Sequence, residues 1–287
     1  MELFIADAFT TQRFSGNQAG VVLLGERNFP DESLMQDLAG ELKHSETAFV
    51  LRTGERAFHI RYFTPAGEVD LCGHATIAAF TVLRKTRWLE PGTCALHTRS
   101  GDLDVRVGRE KVWMDMAPAR EGCCFSEQEQ ERLYRAYGLR LGDRPEGLAA
   151  QAVSTGLMDI LLPVRDRFVL DRAVQDEAEV SHISEQYRVT GVHMFCLSSQ
   201  DGVTAHCRNF APLYAIPEEA ATGTSNGALT YYLYRRGLIV PGQENRFLQG
   251  EAMGKPSEIL SRLSEGLGGV RICVGGQAVI CLRCELL

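Results

Sequence analysis

The sequence predicts an α+β protein of two similar lobes, each a curved, mainly antiparallel sheet or barrel around one central helix. The main observation is an internal repeat of two motifs in the same order. The first half contains RYFTP followed by DLCGHATIAAF, and the second contains RNFAP followed by ATGTSNGALTYYL. Arg61 and Arg208 lie 147 residues apart (208 − 61), and Gly73 and Gly223 lie 150 apart (223 − 73). Both spacings are close to half of the 287-residue chain, which indicates two related lobes.

Two helices are predicted directly after the repeated glycines, at residues 75–87 and 224–236. Both are apolar around most of their circumference, apart from basic last turns, which is typical of a buried helix. Gly237 follows the second helix at the usual position of a C-terminal glycine. Each lobe therefore has one helix that is suited to a central place in it.

Further elements follow from periodicity. Amphipathic helices are predicted at 31–43, with Leu34, Leu38 and Leu42 on one stripe, and at 126–138, which opens with the capping box Ser126 to Glu129. The segment GKPSEILSRLSEG is compatible with either a helix or a strand. Strand-like runs between polar turns are AGVVLL, TAFVL, DLDVRV, KVWMDM, DILLPV, VRICV and AVICL. The predicted lobes are residues 1–118 and 119–287, with the last strand able to pack on the first lobe.

Composition narrows the class of protein. The net charge is −7, and no basic run exceeds Arg235-Arg236, so a nucleic-acid partner is not expected. No apolar stretch reaches the roughly 18 residues needed to span a bilayer, and Glu2 and Asp7 do not suit a secretory signal. We expect a cytoplasmic protein with no membrane partner.

The nine cysteines predict neither a disulfide framework nor a metal centre. Cys281 and Cys284 form the one CxxC motif, within a strand-like segment. Positions i and i+3 of a strand point to opposite faces, so these two thiols are unsuited to one zinc ion. We expect no metal site.

The two buried helices are predicted to begin at Gly73 and Gly223 and to face one cleft. A helix N-terminus presents unpaired N–H groups and a partial positive charge, which attract a carboxylate or an oxyanion. Glycine lets a ligand approach the backbone closely. The pattern therefore favours a small acid as the bound molecule.

Three ionisable side chains near the helix starts are candidate catalysts: His74, Glu219 and Glu46. Each of the three also has a non-catalytic interpretation. Glu46 could be a solvated surface residue, His74 could cap its helix and Glu219 could complement the helix dipole. Hydroxyl and amide groups for binding come from Thr224, Ser225 and Asn226. Arg61 and Arg208 are expected to pair with Glu68 and Glu218 rather than with a substrate.

Cys72 supports a different mechanism. A cysteine at a helix N-terminus has a lowered pKa and can act as a thiolate base, as in epimerases that use two thiols. The repeat, however, places Thr222 at the partner position, which excludes a two-thiol epimerase. A racemase or epimerase of small amino or hydroxy acids with a non-thiol partner, and a non-catalytic protein that binds small acids, remain alternatives.

The motifs SETAFV, DLCGHATIAAF, R-x-F-x-P, ATGTSNGAL, LQGEAMGKPSEI and VRICVGGQAV together resemble the PhzF-like family of phenazine-biosynthesis isomerases. The resemblance runs from DAFT near the N-terminus to the last strand. The fold of that family is the diaminopimelate epimerase fold, with two lobes around a central helix each, which agrees with the repeat. The resemblance implies that the chain is a cofactor-free isomerase, that it forms a homodimer and that it acts on a small dihydroaromatic amino acid.

The resemblance also implies residue roles. The family glutamate that removes a ring proton and returns one elsewhere corresponds to Glu46, and the histidine of C-G-H-A corresponds to His74. The family segment E-D-P-A-T-G-S corresponds to residues 218–224, with Glu219 for its aspartate, Ala220 for its proline and Thr224 for its serine. Asn17 matches the asparagine of a G-N-P motif, followed here by Gln18.

On this hypothesis Glu46 acts first as base and then as acid, with a pKa raised by burial. His74 and Glu219 polarise the substrate or relay the proton. The N–H groups at Gly73 and Thr224 hold a carboxylate or oxyanion, and Asn17, Gly223 and Ser225 complete the predicted binding residues.

Overall fold

The computed structural model describes residues 1–25, 28–266 and 269–285. By internal contacts the chain divides into two units, Met1–Asp115 with Gly275–Leu287, and Met116–Val274. The described residues contain six α-helices within a structure that is mostly β-sheet, so the predicted α+β class is confirmed. No helix within these ranges is long and apolar enough to cross a membrane.

The first unit contains two helices and nine strands among the described residues. Its elements are β1 (Glu2–Ala8), β2 (Asn17–Gly25), α1 (Glu32–Leu42), β3 (Glu46–Arg52), β4 (Ala57–Phe63), β5 (Glu68–Val69), α2 (Gly73–Lys85), β6 (Gly92–Thr98), β7 (Gly101–Val107), β8 (Val112–Asp115) and, from the end of the chain, a strand over Ala278–Cys284. That last strand is β18 in chain order.

The second unit contains four helices. Its elements are β9 (Arg120–Cys124), α3 (Glu127–Arg135), β10 (Gln151–Ser154), β11 (Met158–Pro163), α4 (Arg167–Arg172), α5 (Glu177–Tyr187), β12 (Gly191–Leu197), β13 (Ala205–Ala211), β14 (Ile216–Glu219), α6 (Gly223–Arg235), β15 (Glu244–Gln249), β16 (Ser257–Gly266) and β17 (Gly269–Gly276). Short 3₁₀ turns occur at Leu141–Asp143, Pro212–Tyr214 and Glu251–Met253.

Both units have the same strand topology. In the first, β1 pairs antiparallel with β2, β2 parallel with β3 across α1, β3 antiparallel with β4, and β4 parallel with β6 across α2. In the second, β10, β11, β12, β13 and β15 pair in the same order and directions, with α4 and α5, then α6, as the crossover helices. The helix crossovers are needed because parallel neighbours cannot be joined by a tight turn. The sequence repeat therefore corresponds to a repeated supersecondary structure.

The two predicted central helices are confirmed as buried helices. Ten of the thirteen residues of α2 are buried, from His74 to Leu83, and nine residues of α6 are buried. Phe80 on α2 meets Phe58 edge to face at 5.5 Å between ring centroids, which anchors the helix on β4. Gly237 follows the end of α6, as the sequence predicts; its φ is +69°, and its N–H donates to the Tyr234 carbonyl at 2.9 Å.

Two arginine pairs hold the repeated R-x-F-x-P strands to the connectors before the helices. Arg61 forms two hydrogen bonds of 2.7 Å with Glu68, and Arg208 forms bonds of 2.9 and 2.8 Å with Glu218. The Arg61 guanidinium lowers the pKa of Glu68. These arginines are structural, as the sequence predicts.

Some local predictions differ from the structure. The apolar stripe of α1 was expected to contain Leu34, but that side chain is exposed, and Met35 and Ala39 are the fully buried residues. The segment that was compatible with either helix or strand is strand β16. The capping box at Ser126 and Glu129 is confirmed, although α3 ends at Arg135 rather than near 138.

Candidate functional site

Glu46 and His74 meet in the first unit at the start of β3 and the start of α2. Oε2 of Glu46 lies 3.1 Å from Nε2 of His74, which is an ion-pair distance. Oε2 is buried and has no hydrogen-bond partner among the described residues. A buried acceptor of this kind is costly in a folded protein and is often explained by function.

Three further side chains surround the His74 ring, which is only 4% exposed. Nδ2 of Asn17 lies 3.2 Å from Nδ1, and Sγ of Cys72 lies 3.3 Å from the same nitrogen. The hydroxyl of Ser45 lies 3.1 Å from Nε2. If the Asn17 amide donates to Nδ1, the ring proton of a neutral His74 is on Nε2, which faces Ser45 and Glu46.

Burial raises the pKa of Glu46 above its usual value, because the carboxylate is removed from water. Hydrogen bonds from Ser45 and Cys72 stabilise the charged form and lower the pKa in part. The net shift is upward, toward neutral pH. A carboxyl group tuned in this direction can both accept and return a proton under ordinary conditions.

The start of α2 carries no side-chain cap. Cys72 is the N-cap residue, and its side chain makes no cap hydrogen bond, whereas its carbonyl accepts from the Thr76 N–H at 3.0 Å. A Cβ atom added at Gly73 would meet Met114 Cε at 3.6 Å, which is ordinary contact. Gly73 is not at positive φ either. The chain itself therefore does not require glycine at this position.

In the second unit, Glu219 lies at the end of β14, four residues before α6. Oγ1 of Thr222 donates to Oε2 of Glu219 at 2.5 Å. Gln249, which is fully buried, donates to the Glu219 carbonyl at 2.8 Å and accepts from the Thr222 N–H at 3.2 Å and the Asn226 amide at 2.9 Å. One buried glutamine thus fixes the segment that carries Glu219.

The other predicted residues of the second helix start have different surroundings. Gly223 is the first residue of α6, after the N-cap residue Thr222. The carbonyl of Thr224 accepts from the Thr155 hydroxyl at 2.9 Å, and its side chain is half-buried. Ser225 is fully buried and donates to Asp159 at 2.6 Å. Its hydroxyl is therefore held within the core of the unit.

Asp159 is an unexpected buried acid. Burial raises its pKa to about 6, while hydrogen bonds from Ser225 and the Gly191 backbone oppose the rise. The strand registers show that Asp159 occupies the place in the second unit that Ala19 occupies in the first. Glu46 is paired with Ala19 across β3 and β2, and Gly191 is paired with Asp159 across β12 and β11.

The two units share their strand topology, but the candidate catalytic residues of one unit are not repeated in the other. Arg61 on β4 and Arg208 on β13 occupy matching places in the two units. Counting along the strands that pair with these two, β3 and β12, gives Gly191 as the counterpart of Glu46. Counting back from the helix starts gives Val69 as the counterpart of Glu219. Apart from the matched pair Glu68 and Glu218, each unit thus carries one candidate catalytic glutamate, at a position where the other unit has a different residue.

The structure brings Asn17, Glu46 and His74 together, with Gly73 adjacent, and keeps Glu219, Gly223, Thr224 and Ser225 in the second unit. Sequence reasoning missed Ser45, Gln249 and Asp159. The position of Ser45 directly before Glu46 was a usable signal, and Gln249 lies in the motif LQGEAMGKPSEI. Nothing in the local sequence indicated that Asp159 is buried.

Glu46, Cys72 and His74 also meet a geometric condition for a metal site. One possible ligand atom from each lies within 4.8 Å of the others. The sequence predicts no metal site, and the proximity of these three side chains depends on the fold rather than on a spacing in the sequence. None of the nine cysteines, all of which lie in described residues, forms a disulfide.

Comparisons with known proteins show the family of the chain. The family model of phenazine biosynthesis-like proteins, PhzC-PhzF, matches residues 6–283. An uncharacterized isomerase of Clostridium acetobutylicum is 31% identical over 297 residues, which cover 99% of this chain and 97% of the relative. The crystal structure of a Bacillus anthracis phenazine biosynthesis protein of the PhzF family is 26% identical, with a TM-score of 0.89 over 100% of this chain and 99% of that one.

A more distant structure shows how widely the fold is shared. A probable proline racemase from Agrobacterium radiobacter is 14% identical, with a TM-score of 0.64 over 100% of this chain and 92% of that one. At this identity the likeness concerns the fold alone. The full-length family match and the named relatives lead to one conclusion: the chain belongs to the phenazine biosynthesis-like family and is an enzyme of the isomerase class.

Proposed function

We propose that this isomerase moves a proton between two carbons of a small, carboxylate-bearing substrate, with Glu46 as the acid/base group and without a cofactor. A conjugated, dihydroaromatic amino acid is the substrate class that we favour. The observation that carries the proposal is the buried Glu46 carboxyl beside His74, with one oxygen that has no hydrogen-bond partner among the described residues.

The position of Glu46 suits proton transfer at carbon. Its side chain is 15% exposed, so it is largely removed from water yet not closed off. Removal from water destabilises the carboxylate, which makes it a stronger base than an exposed glutamate. After it has taken a proton, the neutral acid is stable in the same environment and can return the proton to another carbon.

His74 would act as a positioning and polarising group. Its ring is fixed by Asn17 on one side and by Ser45 on the other. The Nε2–H that this arrangement favours points toward the side of the ring where Glu46 lies. It would polarise the substrate during the transfer.

The helix start at Gly73 would hold the substrate carboxylate. The first N–H groups of a helix have no intrahelical partners, and the local dipole favours a negative charge. Cys72 supplies no side-chain cap for these groups. In the second unit, we propose Glu219 as a further proton-relaying group and Gly223 and Thr224 as binding residues, held by the network of Gln249.

The experiment that tests the reaction class has two steps. Small carboxylic acids, including dihydroaromatic amino acids, are screened for an increase in the melting temperature, since a ligand that binds the native state stabilises it. Each ligand that stabilises is then incubated with the wild-type enzyme in D₂O. We expect deuterium at a new carbon position in the product. If no stabilising acid acquired deuterium at any carbon, the proposed proton transfer on small carboxylates would be contradicted.

A cofactor requirement is tested in the same assay. Enzyme that has been dialysed against a chelator and shows no bound organic chromophore is expected to keep its full rate of deuterium incorporation. Loss of activity after dialysis, with recovery on adding back a metal or a small-molecule fraction, would contradict the cofactor-free mechanism.

One observation favours a second candidate, a racemase or epimerase of small amino or hydroxy acids that uses Cys72. Its thiol lies 3.3 Å from His74 Nδ1 and within 4.8 Å of a Glu46 carboxylate oxygen, so two groups could activate it. The variant Cys72→Ala separates the candidates. We expect kcat to fall by less than about tenfold if the thiol only lowers the pKa of Glu46. If the thiol is the catalytic base, kcat should fall by about 10⁴-fold.

We also propose that the enzyme works as a homodimer in the cytoplasm, with a small acid as its partner and no nucleic acid or membrane. The dimer is tested by light scattering of the purified chain. A mass near 31.8 kDa, the mass of one chain, would contradict it.

A further inference from the structure

We propose that Thr222 is a positioning residue for Glu219: its hydroxyl, oriented by Gln249, holds Glu219 as a carboxylate that is ready to accept a proton. The role in proton transfer rests on the proposed function, because it needs Glu219 in the relay, whereas the orientation and ionisation of Glu219 do not. The observation behind the proposal is the hydrogen bond of 2.5 Å from Oγ1 of Thr222 to Oε2 of Glu219.

Two backbone groups fix the orientation of the Gln249 amide. The Thr222 N–H can only donate, so the amide atom 3.2 Å from it must be the oxygen, Oε1. The Glu219 carbonyl can only accept, so the amide atom 2.8 Å from it must be the nitrogen, Nε2. A reversed amide would bring two donors together at the first contact and two acceptors together at the second. The hydrogens of Nε2 therefore face Glu219 and Thr222.

The direction of the hydrogen bond between Thr222 and Glu219 follows from this amide. Nε2 of Gln249 donates to Oγ1 of Thr222 at 3.1 Å, so that oxygen already accepts one hydrogen bond. Oε2 of Glu219 is then the one acceptor for the Thr222 hydrogen among the described residues. A separation of 2.5 Å also lies in the range of about 2.5–2.7 Å that is usual for a hydroxyl bonded to a carboxylate. The network therefore suits an ionised Glu219.

The Thr222 hydroxyl does not cap its own helix. Threonine is favoured at the N-cap position because its hydroxyl can accept a hydrogen bond from an N–H of the first turn. Thr222 is the N-cap residue of α6, yet its side chain makes no cap hydrogen bond and contacts Glu219 and Gln249 instead. The hydroxyl thus stabilises the glutamate rather than the helix.

The first unit has a corresponding relationship at its own N-cap. Cys72 precedes α2 as Thr222 precedes α6, and its side chain also makes no cap hydrogen bond. The Cys72 thiol lies within 4.8 Å of a Glu46 carboxylate oxygen. Burial raises the pKa of Glu46, and Cys72 opposes the rise. In both units the N-cap side chain therefore acts on the candidate catalytic glutamate, although the two glutamates hold different positions in the repeat.

The residue that orients Thr222 is itself held firmly. Gln249 is fully buried at the end of β15, which pairs with β13 on one side and β16 on the other. At the next residue, Gly250, an added Cβ would lie 2.6 Å from the Ala220 carbonyl oxygen, so the two segments are in direct backbone contact. Groups fixed on strands hold a functional side chain more precisely than groups on loops.

The first test measures the ionisation of Glu219 without a substrate. The carboxyl-carbon NMR signal of Glu219 is recorded in the full-length protein labelled with ¹³C-glutamate and is assigned by its loss in Glu219→Gln. At pH 7 we expect the chemical shift of a carboxylate. Thr222→Val removes the hydroxyl and should change this shift, whereas Thr222→Ser should give the wild-type signal. The signal of a neutral carboxylic acid, or an unchanged signal in Thr222→Val, would overturn the proposal.

Thr230→Val is the matched control. Thr230 is a buried threonine of the same helix, and its hydroxyl bonds the Asn226 carbonyl and Ser261. Folding of all variants is checked by thermal melting. We expect the Glu219 signal to stay in place in Thr230→Val. A change as large as that in Thr222→Val would show a general disturbance of α6 and would also overturn the proposal.

The second test measures deuterium incorporation into a substrate that the wild type labels in D₂O. Misplacing a group that transfers a proton slows the reaction step, so we expect kcat to fall at least tenfold in Thr222→Val and KM to change less than about threefold. Thr222→Ser should restore kcat to within about threefold of the wild type.

The outcomes of the two tests separate this proposal from the proposed function. A wild-type kcat in Thr222→Val, together with a changed NMR signal, would refute the role of Thr222 in proton transfer. Equally slow Thr222→Ser and Thr222→Val would refute the role of the hydroxyl. Absence of labelling by the wild type on every stabilising acid would instead refute the proposed function, while the NMR result would still decide the ionisation of Glu219.

Discussion

Nε2 of His74 lies 3.1 Å from Oε2 of Glu46 in a setting where neither side chain has much contact with water. The two residues come from different elements, β3 and α2, and from positions 28 residues apart (74 − 46). Their proximity depends on β3, β4 and α2 being consecutive parts of one supersecondary unit. A one-residue shift in the register of β3 would turn Glu46 to the other face of the sheet.

Replacing Ser45 by alanine should raise the pKa that controls activity. The Ser45 hydrogen bond stabilises the carboxylate of Glu46 and lowers its pKa, so its loss raises that pKa further. A general base must be deprotonated, and therefore the acid limb of the kcat/KM profile should move to higher pH in Ser45→Ala.

The control for Ser45→Ala is Thr47→Val, because the buried Thr47 hydroxyl has no hydrogen-bond partner among the described residues. Thr47→Val should leave the acid limb in place. An unchanged acid limb in Ser45→Ala, or an equal shift in both variants, would show that Glu46 does not control the profile.

Replacing Gly73 by alanine should weaken substrate binding without unfolding the protein. The added Cβ meets only Met114 Cε at an ordinary 3.6 Å, and alanine is favoured over glycine in a helix by about 0.5–1 kcal/mol. A ligand held close to the backbone, however, would collide with the new methyl group. We expect an unchanged or higher midpoint of urea unfolding and a KM raised at least tenfold.

Gly191→Ala is the contrasting variant for Gly73→Ala. Its Cβ would lie 2.0 Å from the Phe210 carbonyl oxygen, so backbone must move and the unfolding midpoint should fall. If Gly73→Ala bound substrate as the wild type does, Gly73 would not contribute to the binding site.

Asp159 should make stability depend on pH in a definite direction. Its pKa is about 6 in the folded protein and 3.8 in the unfolded reference, so folding favours the protonated form. The stability from the neutral acid is present in full below pH 3.8 and is lost as the pH rises through 6. At about 1.36 kcal/mol per pKa unit, the change is on the order of 3 kcal/mol.

The measurement is the free energy of unfolding of the wild type minus that of Asp159→Asn, from urea titrations at several pH values. Asparagine does not titrate, so any constant cost of the substitution cancels in the pH trend. We expect this difference to fall between pH 4 and pH 7. A flat or rising difference would contradict the raised pKa of Asp159.

Gln249 should be the main support of the second helix start. Gln249→Leu keeps much of the side-chain volume and removes the acceptor for the Thr222 N–H and the Asn226 amide. Buried donors that lose their partner cost about 1–3 kcal/mol each, so we expect the free energy of unfolding to fall by roughly 2–4 kcal/mol. Gln175→Leu is the control, because within the described part of the chain Gln175 bonds only the Pro217 carbonyl, through Nε2. If the free energy of unfolding fell equally in the two variants, Gln249 would not be the main support of the second helix start.

The repeat was the most informative feature of the sequence, because it depends on residues that each unit needs for folding. Both R-x-F-x-P strands place an arginine on a glutamate of the following connector, and both helix starts are preceded by an N-cap residue in an extended conformation. Side-chain size, charge and glycine at these positions are read directly from the sequence. The helices α2 and α6 were therefore predicted correctly.

The contacts within the candidate site could be predicted only in part. Sequence motifs indicated Glu46 and His74 one by one, but their distance depends on the register of β3 against β2 and on the crossover that returns as α2. The buried Asp159 was missed for the same reason, since its partner Ser225 lies 66 residues away in sequence. Long-range pairing of polar groups leaves no periodic pattern in the chain.

The most direct test of the central claim compares Glu46→Gln with the wild type in D₂O, on a substrate that the wild type labels. Glu32→Gln is the control for changing a carboxylate to an amide, because Glu32 is exposed in the same unit. Folding of all three proteins is checked by thermal melting. We predict that Glu46→Gln binds the substrate and incorporates deuterium at least 10³-fold more slowly, while Glu32→Gln remains as fast as the wild type. Incorporation by Glu46→Gln at the wild-type rate would contradict the assignment of Glu46 as the acid/base group.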